Sequence, residues 1–169
     1  MSIKIKNIII FSVFYFFITS GFGNENLKSI GKFKDWEVFT LQENENKVCF
    51  LQSSPVLQAP KKVERESRFF VTFRPSEKIM DEVSVTAGYK FNSKNEVRVK
   101  SGKNIYKLFS QENFAWLREN RQEKKLIKVM KKGSRIMITG YNQSGSQTID
   151  HYSLMGFTKA YNLAKKSCS

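Results

Sequence analysis

Few residues in this sequence are of types that could do chemistry. The single histidine, His151, follows Asp150 and lies downstream of Ser144. These are the residue types of a nucleophile, base and orienting acid. Neighbouring residues on a strand point to opposite faces, so Asp150 is not placed to orient His151. No G-x-S-x-G turn presents a serine. Two acid pairs, Asp81 with Glu82 and Asp35 with Glu37, could serve general acid/base work only if their environments converged. Two isolated cysteines and one histidine offer no metal-ligand spacing. No glycine-rich loop suits a nucleotide phosphate. The residues therefore predict no catalytic group, no metal and no cofactor.

The strongest signal outside the apolar pattern is basic. The chain carries 29 Lys and Arg against 15 Asp and Glu, a net charge of +14. Arg118, Arg121, Lys124, Lys125, Lys128, Lys131, Lys132 and Arg135 crowd one stretch with only Glu119 and Glu123 among them. Lys124, Lys128, Lys131 and Arg135 recur at three- or four-residue spacing and can share one helical face. With Lys132 they form a candidate anion-binding face. Arg98, Lys100, Lys103 and Lys107 form a second basic stretch. Such surfaces suit lipid headgroups, phosphates or acidic glycans. Nucleic acid is the anion least expected, because export would separate the protein from it.

Export is what residues 1–23 predict. Lys4 and Lys6 precede an apolar run from Ile8 to Thr19, and Ser20, Gly21 and Gly23 follow, the pattern of a secretory signal peptide. The run is shorter than the roughly twenty residues of a membrane span. The mature protein is expected in the periplasm or outside the cell. An oxidising compartment and an even cysteine count predict a Cys49–Cys168 disulfide. Closing so long a loop is worth on the order of 4–5 kcal/mol in the chain-entropy model.

The elements that must carry these residues are mostly strands. Residues 24–33 read as a flexible leader and 34–169 as one domain. Residues 34–41 and 47–53 alternate as a hairpin around the turn at 43–46. Residues 54–66, with two prolines and mixed charge, read as a loop. Residues 68–75, 80–89, 96–102 and 104–110 follow as strands, and 111–117 as a short strand or loop. The one long helix begins near Asn120, where Asn120 and Glu123 have capping-box spacing, and ends before Gly133. Residues 134–142 and 147–154 form a second hairpin, and 158–168 a short helix that brings in Cys168. The sequence predicts an antiparallel β-sandwich, immunoglobulin-like, with one mid-chain α-helix and a short C-terminal helix.

The segments DWEVF, KVCFLQSSP, SRFFVTFRP, DEVSVTAGY and LFSQENFAW, the run VMKKGSRIMITGYNQSGSQTIDHYSLMGF and the closing Cys168 resemble the invasion-associated locus B family of alphaproteobacterial secreted proteins. The likeness covers Lys34 to Cys168. Its most specific parts are the Trp36–Cys49 opening and the ending at Ser153, Leu154, Gly156 and Phe157. The resemblance implies a small exported β-sandwich and carries no enzymatic reaction with it. Some family members hold further cysteines; this chain can form one bridge only. The expectation is an envelope-associated, non-enzymatic protein that binds an anionic envelope component or an envelope protein, with peripheral membrane association. The rival readings are an assembly factor acting through an apolar or strand-edge surface, and an unrecognised hydrolase.

Overall fold

A computed structural model describes residues 27–43, 46–61 and 65–169. The expected signal peptide, residues 1–23, lies outside the described residues. The elements are β1 (Lys28–Phe33), β2 (Trp36–Glu43), β3 (Asn46–Ser53), β4 (Leu57–Ala59), β5 (Ser67–Arg74), β6 (Ile79–Ala87), β7 (Val97–Ser101), β8 (Asn104–Gln111), β9 (Phe114–Trp116), α1 (Asn120–Met130), β10 (Arg135–Tyr141), β11 (Gln147–Ser153) and α2 (Phe157–Ser167).

All strand pairings are antiparallel, in one ladder ordered β1-β2-β3-β5-β6-β9-β8-β7-β10-β11-β4. The ladder folds over at β8. Residues up to Leu108 pair with β7, and Phe109–Gln111 pair with β9. The two halves then meet face to face. Trp36 Nε1 donates to the Ser153 carbonyl at 2.9 Å, and the Phe69 and Tyr152 rings lie 5.9 Å apart. The antiparallel β-sandwich expected from the alternation is the fold observed. Its layers are joined through β8, where an immunoglobulin domain keeps two separate sheets.

Alternation sets the core. Trp36 and Val38, Cys49 and Leu51, Phe69, Val71 and Phe73, and Val83, Val85 and Ala87 all face inward and are buried, as do Val97, Val99, Ile136 and Ile138 from the other half. Burying each large side chain is worth about 1.5–3 kcal/mol. The helix α2 closes one open side of the sandwich. It lays Phe157 against Trp36 at 4.9 Å, while Ala160 and Ala164, both fully buried, let its backbone come close. The predicted disulfide is present: Cys49 of β3 bonds Cys168, across a sequence separation of 119 residues. Gly156, which precedes α2, has φ +92°. A Cβ there would stand 1.8 Å from the Phe33 carbonyl oxygen, so the position requires glycine for two separate reasons.

Three local expectations are corrected. The leader at 24–33 is not loose throughout, because Lys28–Phe33 form edge strand β1 on β2, with a register shift between Ser29 and Gly31. That bulge hides the period of two on which strand reading depends. The loop at 54–66 contains β4, which pairs with Ile149, Asp150 and His151 of β11; three residues are too few to show a pattern. The capping box at Asn120 is also absent. The residue capping α1 is Glu119, with no side-chain cap bond. Glu123 turns inward instead, and its Oε1 accepts a hydrogen bond from the Val83 amide at 3.1 Å. Along β6 the short β9 reaches only Ser84–Thr86, so Glu123 takes up the amide just beyond that ladder.

Candidate functional site

The structure does not assemble the candidate relay. Ser144 sits in the β10–β11 turn, where its hydroxyl donates to Asn142 Oδ1 at 2.7 Å. Asp150 points inward and is 2 % exposed. It receives both terminal nitrogens of Arg65, at 2.5 and 3.0 Å. His151 points to the other face, and its Nδ1 is buried with no hydrogen-bond partner among the described residues. The acid pairs do not converge either. Asp81 faces the interior, while Glu82 faces outward and pairs with Arg74 at 3.6 Å. Glu37 accepts from the Ser29 hydroxyl at 2.6 Å, and Asp35 is exposed in the β1–β2 turn. Among the described residues no group of three His, Cys, Asp or Glu side chains could hold a metal ion.

The basic residues are brought together more closely. The face of α1 made by Leu126, Ile127 and Met130 is buried, which leaves Lys124, Lys125 and Lys128 exposed. The helix stops at Met130, and Lys131 caps it. Arg135 therefore belongs to β10 and not to the helical stripe, a correction to the four-position spacing. The turn nevertheless returns it to the same place. Lys128, Lys132 and Arg135 line one depression of about 420 Å³ with Ser101, Gly102 and Asn104 of the β7–β8 hairpin. Lys125 borders a second, of about 680 Å³, with Arg98 and Lys107. Arg98 and Lys107 both pair with Glu96, at 3.3 and 3.0 Å. Lys124, Lys128, Lys132 and Arg135 pair with no carboxylate among the described residues. Lys131 leans the other way, with Nζ 3.7 Å from the centre of the Tyr161 ring. Burial, then the neighbouring Lys165, holds its pKa below the usual lysine range.

Beneath the ridge two acids that the sequence does not bring together, Glu123 and Asp81, are both buried. Glu123 is 4 % exposed and Asp81 7 %. Tyr161 Oη donates to Asp81 Oδ1 at 2.6 Å, and burial, reinforced by that carboxylate, pushes the Tyr161 hydroxyl up. Burial, with the charges of Glu82 and Asp81 added, pushes Glu123 up to about 7 despite the Val83 amide. Its placement three residues after Asn120 suggested a helix cap, and only the tertiary packing shows otherwise. Arg65 was missed for a similar reason: it stands in a charged loop, and nothing local pairs it with Asp150. Arg68 donates to the Ser67 carbonyl at 2.9 Å.

Comparison with known proteins agrees with this architecture. The crystal structure of invasion associated protein B from Bartonella henselae superposes with a TM-score of 0.56 at 11 % identity, covering 83 % of this chain and 97 % of that one. At that identity the likeness is one of fold. No curated protein matches the sequence. The family model described as invasion associated locus B (IalB) protein matches residues 36–165, from the Trp36 that anchors the core to the last turn of α2. On that match the chain belongs to the invasion associated locus B family.

Proposed function

We propose that this protein is an exported, non-catalytic component of the cell envelope, held to an anionic surface by the ridge at α1 and the following turn. The observation that carries the reading is the convergence of exposed, carboxylate-free Lys128, Lys132 and Arg135 on one depression, with Lys124 beside them. Export rests on the pattern of residues 1–23, and an envelope role agrees with the family. The cations stand on a scaffold locked by the α1 core face, so they need little ordering to bind an anionic surface. Each lysine near an anionic membrane contributes about 1 kcal/mol at moderate salt, falling off within a Debye length.

The test is binding to vesicles containing anionic phospholipid, comparing the wild type with a variant in which Lys124, Lys128, Lys132 and Arg135 are all replaced by Gln. The variant is expected to bind at least about a hundredfold more weakly, with a flatter salt dependence and an unchanged fold. Equal binding by the two proteins contradicts the reading.

A second reading, a protein-interaction factor, is favoured by the edge strand β4. Leu57 there is 45 % exposed, and Val56 just before it 58 %. The strand at this edge has a free side for pairing. Binding that is indifferent to salt and abolished by Leu57→Lys would favour it.

A further inference from the structure

A row of aromatic rings crosses the outer face of the sheet half opposite the core. Phe39 of β2 stacks on Phe50 of β3 at 5.2 Å. Phe50 meets Phe70 of β5 at 6.2 Å, and Phe70 meets Phe114 of β9 at 6.3 Å. Phe114 stacks on Trp116 at 5.7 Å, and Trp116 reaches Phe109 of β8 at 5.6 Å. The Arg118 guanidinium closes the row, 4.6 Å over the Phe109 ring. Core packing does not require these rings, because the inward face of the same strands carries Trp36, Leu51, Phe69, Val71, Phe73 and Val85. Both helices bury their apolar sides on the inner faces, so nothing described covers the row.

The row ends in a depression of about 360 Å³ whose wall includes Phe109, Trp116, Arg118, Lys78, Glu82 and Glu123. Arg118 and Lys78 pair with no carboxylate among the described residues. Gln111 and Asn120 complete the hydrogen-bonding rim. The hydroxyls of Thr72, Ser84 and Thr86 lie between the rings, on the same face.

We propose that this outer face binds an acidic saccharide chain: sugar rings lie along Phe70, Phe114 and Trp116, and an acidic substituent is held by Arg118 and Lys78. Phe114, the exposed ring of the row at 39 %, offers an electron-rich surface to the positively polarised C–H bonds of a sugar ring. The spacing between neighbouring rings is comparable to the length of one pyranose. The rim supplies both donors and acceptors, as hydroxyl-bearing ligands require. At this end Lys78 and Arg118 offer the positive charge an acid would meet, while Glu82 is taken up by Arg74. A second copy of the chain fits less well. Only Phe114 exceeds one-third exposure, at 39 %, so the row offers a strip one ring wide, whereas a stable dimer buries about 800 Å² on each partner. The strands bearing Phe50 and Phe70 are paired on both sides, so no added strand can reach this site through backbone bonds. The proposal stands apart from the α1 ridge and does not depend on it.

The test is calorimetric titration of the full protein with a hexasaccharide of alternating glucuronate and N-acetylglucosamine, and with its carboxyl-reduced neutral counterpart. Tryptophan fluorescence is read in parallel. The chain has two tryptophans; Trp36 is fully buried, so a ligand-dependent change reports Trp116. The expected result is saturable binding of the acidic chain with a fluorescence change. Phe114→Ala should weaken it about fivefold to tenfold, and Arg118→Gln should reduce the preference over the neutral chain. The fourfold variant of the α1 ridge should bind as the wild type does. Phe114→Ser, with thermal unfolding measured alongside, separates loss of contact from loss of fold. The proposal is overturned by absence of saturable binding, by equal affinity for the two chains, by loss of binding in the α1 variant alone, or by a self-association that Phe114→Ala removes.

Discussion

At Glu123 the sequence and the fold assign the same side chain different work. Its spacing from Asn120 is that of a cap, yet the carboxyl is turned under α1 onto the Val83 amide. The local signal is ambiguous because a glutamate in the first turn suits a helix whichever way it points. Burial decides the direction, and burial depends on β6, which lies forty residues upstream. A consequence is measurable. With its pKa pushed up from 4.5 to about 7, folded Glu123 keeps a proton that the unfolded chain has released. Its contribution to stability is therefore complete below about pH 4.5 and is lost as the pH rises through about 7. Glu123→Gln keeps an acceptor for Val83 and removes the titration. Urea midpoints at pH 5 and pH 8 should lie closer together in the variant than in the wild type. An unchanged gap would show that other groups set the pH dependence. The Arg65–Asp150 pair makes the same point without titration. Neither residue signals the other in sequence, yet both are nearly closed to solvent, and removing one partner of such a buried pair costs about 3–5 kcal/mol.

Among the elements, those that alternate over five or more residues were legible. The strands now seen as β2, β3, β5, β6, β7, β10 and β11 follow the apolar period of two, and α1 follows its 3.6-residue period. Those left unread, β1 and β4, are edge strands. One is bulged and one is three residues long, and neither is buried on both faces, so neither needs an apolar pattern. The Ser153–Phe157 segment was recognisable as a motif, but its reason is structural: Ser153 accepts from Trp36, Gly156 makes room for the Phe33 carbonyl, and Phe157 packs on Trp36. The helix α2 is fastened at both ends, by that segment and by the disulfide. Replacing both cysteines by serine should destabilise the protein by about 4–5 kcal/mol. Hydrogen exchange should quicken first in Tyr161–Ser167, because the last turns lose their tether while Phe157 still anchors the first. Uniform acceleration across β2, β3 and β5 would instead make the bridge a determinant of the whole sandwich.

For the whole molecule, the charge excess of +14 is legible in the sequence, but the place where it gathers is not. The five basic positions of the candidate anion-binding face divide in the fold. Lys128, Lys132 and Arg135 share a depression, Lys124 stands exposed beside them, and Lys131 turns to Tyr161. The aromatic row was illegible for a related reason: its rings come from five strands, and only the ladder brings them side by side. The export pattern of residues 1–23 and the family motivate the proposed envelope role, and that proposal claims electrostatic attachment there. Fractionation of the native host tests that claim most directly, with membranes washed first at low and then at high salt. The account predicts that the protein stays with the membranes at low salt and leaves them at high salt. Recovery in the soluble envelope fraction at low salt would contradict it.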